Sequence, residues 1–293
     1  MLTLACIPVF NEEGVIGQLV QKTLLHVDKV VVCDDGSSDK TSSKAKSAGA
    51  HVIIHEKNKG KGAALKTLFK YAKELGADVT VTIDGDGQFL PEEIDKLIKP
   101  ISEKKSDIVI GYRFDDKMEM PLYRKVGNKF LDKITNMASE LPFRDTQSGF
   151  RAYSKKAIES IHFSSDGFGA DSEILIDASK KGLKISEEKV TVIYNTGADT
   201  STKNPISHTG DVIGSLVELV ALRHPLKYLG IPGFVLLIVG IIFSVIVATV
   251  FNESRYFSIP FTLLAVFSFI VGLMLLLMSV VLFSIVRTSK RTF

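Results

Sequence analysis

Cysteine is almost missing from this chain. Cys6 and Cys33 are the only two in 293 residues, they have no CxxC spacing, and both lie inside apolar, strand-like runs. No disulfide framework or paired-cysteine motif can be read from them. No signal-peptide pattern opens the chain, so two buried thiols in a reducing compartment are expected. An excess of charge of one sign is also lacking. The net charge is +3, and no basic patch is interleaved with aromatics, which argues against a nucleic-acid partner. The glycine signatures of common nucleotide folds are absent as well. No GxGxxG follows the first apolar run, so the phosphate turn of a dinucleotide fold is missing. Asn58-Lys59-Gly60-Lys61-Gly62 resembles a phosphate loop only superficially, because Ala63 stands where GxxxxGK[ST] requires lysine. Two readings of that loop stay open. Its glycines could admit backbone N–H groups to a phosphate at a helix N-terminus, with Lys61 on the nucleotide side, or it could be a helix-start turn with solvated lysines.

What is present is segregated. Charged residues make up 24% of the chain, yet its mean hydropathy is +0.20. Charge lies before about Lys227, and the remainder is nearly all apolar. Residues 228–252 and 256–286 contain no charge, and each exceeds the roughly 20 residues that span a bilayer core as helix. Glu253-Ser254-Arg255 leaves room only for a tight hairpin. Positive charge flanks the outer ends at Arg223 and Lys227, then at Arg287, Lys290 and Arg291, which puts both termini in the cytoplasm. Neither run contains an ionisable residue, so an anchor is expected rather than a transport path. Residues 206–227 form a juxtamembrane stretch, either an interfacial helix laid against the headgroups or the last helix of the preceding domain. Residues 287–293 form a basic tail.

Residues 1–205 read as one α/β domain. Apolar strand-like runs at Leu2–Val9, Val30–Cys33, His51–His55, Val79–Ile83 and Asp107–Gly111 alternate with helical patterns. This alternation predicts a parallel sheet with helices on both faces. Each run ends in polar or glycine residues, so one rim of the sheet collects them, and ligands of open α/β sheets bind at such a rim. The sharpest case is Val79 to Ile83, which gives way abruptly to Asp84-Gly85-Asp86-Gly87-Gln88. Two residues apart on extended backbone, Asp84 and Asp86 point to the same side. With a neighbouring amide oxygen they make a hard-oxygen site for Mg²⁺ or Mn²⁺. The bland alternative is a solvated Asp-Gly turn. Further on, Arg113, Tyr123, Arg124 and Lys125 form a basic group, and Arg124 and Asn128 share a helix face at i, i+4.

The set Pro8-Val9-Phe10-Asn11-Glu12, Asp34-Asp35-Gly36-Ser37, Asp84-Gly85-Asp86-Gly87-Gln88, Gly111-Tyr112-Arg113 and Asp145-Thr146-Gln147-Ser148-Gly149-Phe150-Arg151 resembles family 2 glycosyltransferases. Within that family it is similar to the dolichyl-phosphate mannose synthase and polyprenyl-phosphate glycosyltransferase branch. The resemblance covers roughly residues 1 to 200. It implies a GT-A-like nucleotide-binding sheet with flanking helices, followed here by a two-helix transmembrane hairpin. It assigns Pro8, Phe10, Asn11, Glu12, Asp35 and Gly36 to the nucleoside, and Asp86 and Gln88 to the metal with Asp84 beside them. Arg113 and Arg124 go to the acceptor phosphate, with Asn128 and, more loosely, Lys203. The catalytic set is then Asp84, Asp86, Arg113, Arg124 and Asp145.

A lipid monophosphate acceptor, with its second pKa near 6, is an oxyanion at neutral pH and needs positioning by arginine forks more than it needs a base. None of the six histidines falls in these motifs. Asp145 and Glu173 are open between orienting acceptor or sugar hydroxyls and salt-bridging to Arg151 or a lysine. The expected function is inverting transfer of one hexosyl unit from a nucleotide sugar (GDP-mannose, UDP-glucose or UDP-N-acetylglucosamine) to dolichyl or polyprenyl phosphate, serving protein or surface glycosylation. A multi-pass membrane protein with its catalytic domain on the cytoplasmic face, and a possible homo-oligomer, completes the expectation. Two alternatives are a family 2 enzyme acting on a glycan or glycolipid hydroxyl, and a non-catalytic membrane-tethered scaffold.

Overall fold

The computed structural model describes residues 1–113, 142–167, 169–193 and 225–289, together with Asp132, Thr135, Asn136 and Ser139; side chains of the last helix are described to Ser284. The chain divides into two compact units, Met1–Leu216 and Val217–Phe293. The first runs β1 (Thr3–Val9), α1 (Ile16–Thr23), β2 (Lys29–Asp34), α2 (Thr41–Ser47), β3 (His51–Ile54), α3 (Lys61–Leu75), β4 (Val79–Thr82), α4 (Ile94–Ser102), β5 (Ile108–Tyr112), β6 (Arg151–Ser154), α5 (Lys155–Ser160), α6 (Ala170–Lys180) and β7 (Ile185–Lys189). The helix expected from Pro91 opens with a 3₁₀ turn, Pro91–Glu93, before α4 begins.

Period-2 burial along the strands decides which helices cover which face. Ala5, Ile7 and Val9 of β1 pack with Ile16, Leu19 and Val20 of α1 and with Ile94, Leu97 and Ile98 of α4. The alternate residues Leu4 and Cys6 pack with Leu65, Leu68 and Phe69 of α3, Ile158 of α5 and Ile174 of α6. Both faces are therefore dry, which is why β1 is buried at every position and reads as a continuous apolar run rather than an alternating one.

The strand order is β3-β2-β1-β4-β6-β5-β7. β1 to β5 all run in one direction, as the alternation predicts. The sheet as a whole is mixed, because β6 lies antiparallel between β4 and β5, with Thr82 opposite Arg151 and Ile110 opposite Arg151 on the other side. An antiparallel strand presents its amino end where its neighbours present their carboxyl ends. The loop before β6, residues 145–150, is thereby delivered to the same rim as the loops after β1, β2, β4 and β5.

The second unit is a helical hairpin. A π-helical turn, Leu226–Gly230, leads into α7 (Ile231–Ser254), and α8 covers Ile259–Ser289. Both are long and apolar enough to cross a membrane. α7 continues through Glu253 and Ser254, and the reversal falls later than expected, at residues 255–258. Arg255 adopts a left-handed conformation (φ 54°) and donates its amide to the Phe251 carbonyl. The helices meet through glycine. A Cβ at Gly240 would come within 2.8 Å of the Phe269 amide nitrogen, and one at Gly272 within 2.7 Å of that of Leu237. Large apolar side chains such as Phe234, Leu263 and Phe267 face outward. The expected juxtamembrane helix at 206–227 lies outside the described residues as far as residue 224, as does most of the basic tail.

Candidate active site

The rim is built by loops that hydrogen-bond to one another before any ligand is considered. After β1, Asn11 takes a left-handed turn (φ 55°). Its amide donates to Ser37 Oγ (2.8 Å), and its Oδ1 accepts the Ser38 amide (2.9 Å). The Glu12 amide donates to Thr41 Oγ1 and the Glu13 amide to Asp39. The loops after β1 and β2, which carry the expected nucleoside residues, are thus laced together. Pro8 itself is buried in β1 opposite Cys33.

Behind them, Asp34 accepts the Ser37 amide (2.8 Å) and the Ser42 hydroxyl. Asp35 is buried too. Its carboxylate accepts the amides of Lys59 (3.0 Å) and Gly60 (2.7 Å) and meets His55 Nδ1 at 2.6 Å; His55 Nε2 continues to Thr67 Oγ1 at 2.9 Å. One histidine therefore does contact a motif residue, although none lies within a motif. At residues 58–62 the solvated-lysine reading fails for Lys61, and two of the loop's amides are already used within the protein. The Lys59 and Gly60 amides are spent on Asp35 and that of Ala63 on the Asp166 carbonyl. Gly60 and Gly62 are glycine because a Cβ at either would overlap the Ser165–Asp166 backbone.

Lys61 is not solvated. Its Nζ lies 2.8 Å from Asp84 Oδ1 and 3.0 Å from Asp171 Oδ2. Gly149 packs against the same carboxylate, where a Cβ would overlap it. Asp86 accepts the Gln88 amide at 3.0 Å. Burial and then the charge of Asp84 push Asp86 up to about 6, while the Gln88 amide, Lys61 and Arg113 pull the other way. Burial, followed by Asp86 and Asp39, pushes Glu12 up to about 7. Glu12, Asp84 and Asp86 therefore concentrate negative charge in one place. Among the described residues no three or more acidic, histidine or cysteine side chains could hold an ion by themselves. The backbone between Asp84 and Asp86 is a turn, not the extended continuation of β4 from which a common side was expected. The two carboxylates nevertheless stay near enough for Asp84 to raise Asp86, and such a neighbouring pair fits a hard divalent cation that would complete its shell with water and ligand phosphate.

The basic side of the rim is organised by Asp145. This carboxylate is fully buried and accepts Arg113 Nε (2.7 Å), one of its terminal nitrogens (2.9 Å) and its backbone amide (3.1 Å). Its partner is thus Arg113, not Arg151 or a lysine, and its two oxygens hold that arginine's fork in place. Arg151, wholly buried, donates to the carbonyls of Asp171 (2.9 Å) and Thr146 (2.8 Å). Glu173 is also committed, accepting the Ser164 and Ser165 amides and the Ser164 hydroxyl. Sequence reasoning missed Asp171, His55 and Asp132, which accepts the Thr146 amide and hydroxyl. Acidic residues in a first helical turn are ordinary, so Asp171 carried no distinguishing signal. Arg124, Asn128 and Lys203 lie outside the described residues.

A mixed sheet with acidic and basic loops gathered at one rim defines a glycosyltransferase of the GT-A type. Glucosyl-3-phosphoglycerate synthase from Mycobacterium tuberculosis, solved in complex with Mn²⁺, uridine diphosphate and phosphoglyceric acid, shares the fold with TM-score 0.59 and 21% identity, covering 75% of this chain and 78% of that one. The chain belongs to glycosyl transferase family 2, whose model matches residues 5–161. It is 38% identical over 211 residues to the UDP-N-acetylglucosamine–dolichyl-phosphate N-acetylglucosaminyltransferase of Methanococcus voltae, spanning 64% of this chain and 84% of that protein. It is 30% identical over 227 residues to a dolichyl-phosphate hexose transferase of Haloferax volcanii, spanning 74% of this chain and 93% of that one.

Proposed function

We propose that this enzyme moves one sugar from a nucleotide sugar to a polyprenyl or dolichyl phosphate, with inversion, while anchored in the membrane by α7 and α8. The observation that carries the reading is the gathering at one rim of Asp84 and Asp86 after β4 and Arg113 after β5, with the loop before β6 touching Asp84 through Gly149 and Arg113 through Asp145. On this reading the loops of Phe10–Glu12 and Asp35–Gly36 hold the nucleoside. Asp86 and Gln88, with Asp84 beside them, hold a divalent cation, which when bound offsets the charge of the departing nucleoside diphosphate. Arg113, its fork fixed by Asp145, aligns the acceptor phosphate next to that second anion. Arg124, Asn128 and Lys203 belong to the same acceptor group.

The choice of a phosphate acceptor over a hydroxyl has physical support. A hydroxyl needs a base within reach, and both residues weighed for that role in the sequence are already committed, Asp145 to Arg113 and Glu173 to the 164–165 loop. A lipid monophosphate needs none. The names of the relatives from Methanococcus voltae and Haloferax volcanii point the same way. The test is to incubate membranes containing the protein with radiolabelled GDP-mannose, UDP-glucose and UDP-N-acetylglucosamine, with and without polyprenyl phosphate and Mn²⁺. Label is expected in a mild-acid-labile lipid, and only when both additions are made. Transfer to a glycan hydroxyl without polyprenyl phosphate would overturn the proposal. Asp86→Ala is expected to lose metal-dependent transfer while keeping a cooperative melt.

A further inference from the structure

Asp84 and Asp86 belong to one loop but keep different company. The carboxylate of Asp86 accepts a backbone amide, whereas that of Asp84 already holds an ammonium. The position of Lys61 is fixed from several directions. It is the first residue of α3, its side chain is 14% exposed, and it is shared between Asp84 and Asp171 at 2.8 and 3.0 Å. Gly60 and Gly62, on either side of it, pack directly on the 165–167 backbone that leads into α6, and Asp171 sits in the first turn of α6. Asp171 is anchored in turn by buried Arg151, which binds its carbonyl at 2.9 Å. Gly149 lies so close to the Asp84 carboxylate that no side chain fits between them. The pair is built in, not a chance meeting of surface side chains.

We infer that Lys61 is the resident counter-ion of Asp84, held there by Asp171, and that it keeps the nucleotide-free enzyme from binding a divalent cation tightly. The inference rests on the metal-dependent reading of the rim. A cation arriving alone must compete with an ammonium already seated on one of its carboxylates, and would gain few protein oxygens in exchange for its waters. A nucleoside diphosphate supplies the missing oxygens, so the ion enters with the nucleotide. Lys61 is then a positioning residue that sets the order of binding.

Titration of the purified full-length protein with Mn²⁺, followed by the electron paramagnetic resonance of the free ion, tests this without any turnover. Wild type is expected to bind Mn²⁺ weakly alone and tightly with UDP or GDP. The double variant Lys61→Met/Asp171→Asn removes one positive and one negative charge, so the net charge of the site is unchanged while Asp84 is released. It is expected to bind Mn²⁺ alone at least about tenfold more tightly than wild type. Lys61→Gln, a milder change if the double variant does not fold, should shift in the same direction, and Lys61→Arg should remain weak. Unchanged affinity in the released variants overturns the inference, as does wild type holding Mn²⁺ alone as tightly as with nucleotide. Absence of Mn²⁺ binding by wild type even with UDP and GDP would instead overturn the metal-dependent reading, and the counter-ion role with it.

Discussion

At Glu12 and Asp86 the protein holds negative charge where it is unfavourable, and the pH dependence of stability follows. Glu12 rises from an ordinary 4.5 to about 7 and Asp86 from 3.8 to about 6. A carboxyl whose folded pKa is raised favours the native state while protonated. That contribution is full below the unfolded value and disappears as pH rises through the folded one. The metal-free protein should therefore lose stability between about pH 4 and pH 7, and a divalent ion should restore it by taking the place of the protons. Melting curves are expected to show a larger stabilisation by Mn²⁺ with UDP at about pH 8 than at about pH 5; an increment independent of pH would contradict it. Asp145 offers a second measurement. Asp145→Asn leaves Arg113 without its counter-charge and should destabilise by about 3 kcal/mol, with transfer falling through weaker use of lipid phosphate rather than of nucleotide. Combined with Arg113→Ala it should cost less than the sum of the two single changes, because the pair acts as a unit. Legibility in the sequence stops at the range of the interaction. Asp84 and Asp86 announce themselves within five residues, but Arg113 and Asp145 are 32 residues apart and Asp35 and His55 are 20 apart. Only the fold brings such partners together.

At the scale of elements, the strands themselves were legible, including a short one after the 145–151 loop and an extended run from Lys184, but the place and direction of the short polar ones in the sheet were not. β1 to β5 follow from runs of buried β-branched and apolar residues. β6 is four residues, Arg151–Ser154, opening with an arginine, and nothing local says that it enters the middle of a sheet, still less in reverse. Its place is set by partners on both sides, Thr82 and Ile110 opposite Arg151, and by carbonyls that satisfy the buried guanidinium. The hairpin shows the same limit. Composition located two long apolar helices, but the close approach through Gly240 and Gly272 appears only when they face each other. Gly240→Leu should force α7 and α8 apart, an overpacking penalty of about 1–3 kcal/mol. Val245→Leu, at a site 59% exposed, should have little effect. Thermal unfolding in detergent compares them; equal midpoints would mean that the helices do not depend on that contact.

For the whole molecule, on the proposed membrane anchoring, the decisive question is which side of the membrane carries the sheet. Positive charge flanking both spans on their outer ends favours the catalytic unit and both termini in the cytoplasm. The native cysteines make this testable. Cys6 and Cys33 are fully buried; burial, with help from Asp35 and Asp34, pushes the Cys33 thiol up to about 12, and burial pushes Cys6 further still. Only a thiolate reacts readily with a maleimide, so the wild-type protein should stay unlabelled and any introduced cysteine should report alone. Tyr256, 64% exposed in the connection between α7 and α8, and Leu25, 81% exposed after α1, are suitable positions. On intact cells a membrane-impermeant maleimide should label Tyr256→Cys and spare Leu25→Cys, and permeabilisation should expose both. Labelling of Leu25→Cys on intact cells would put the rim on the far side, out of reach of a nucleotide sugar made in the cytoplasm, and the proposed donor would then have no route to Asp86.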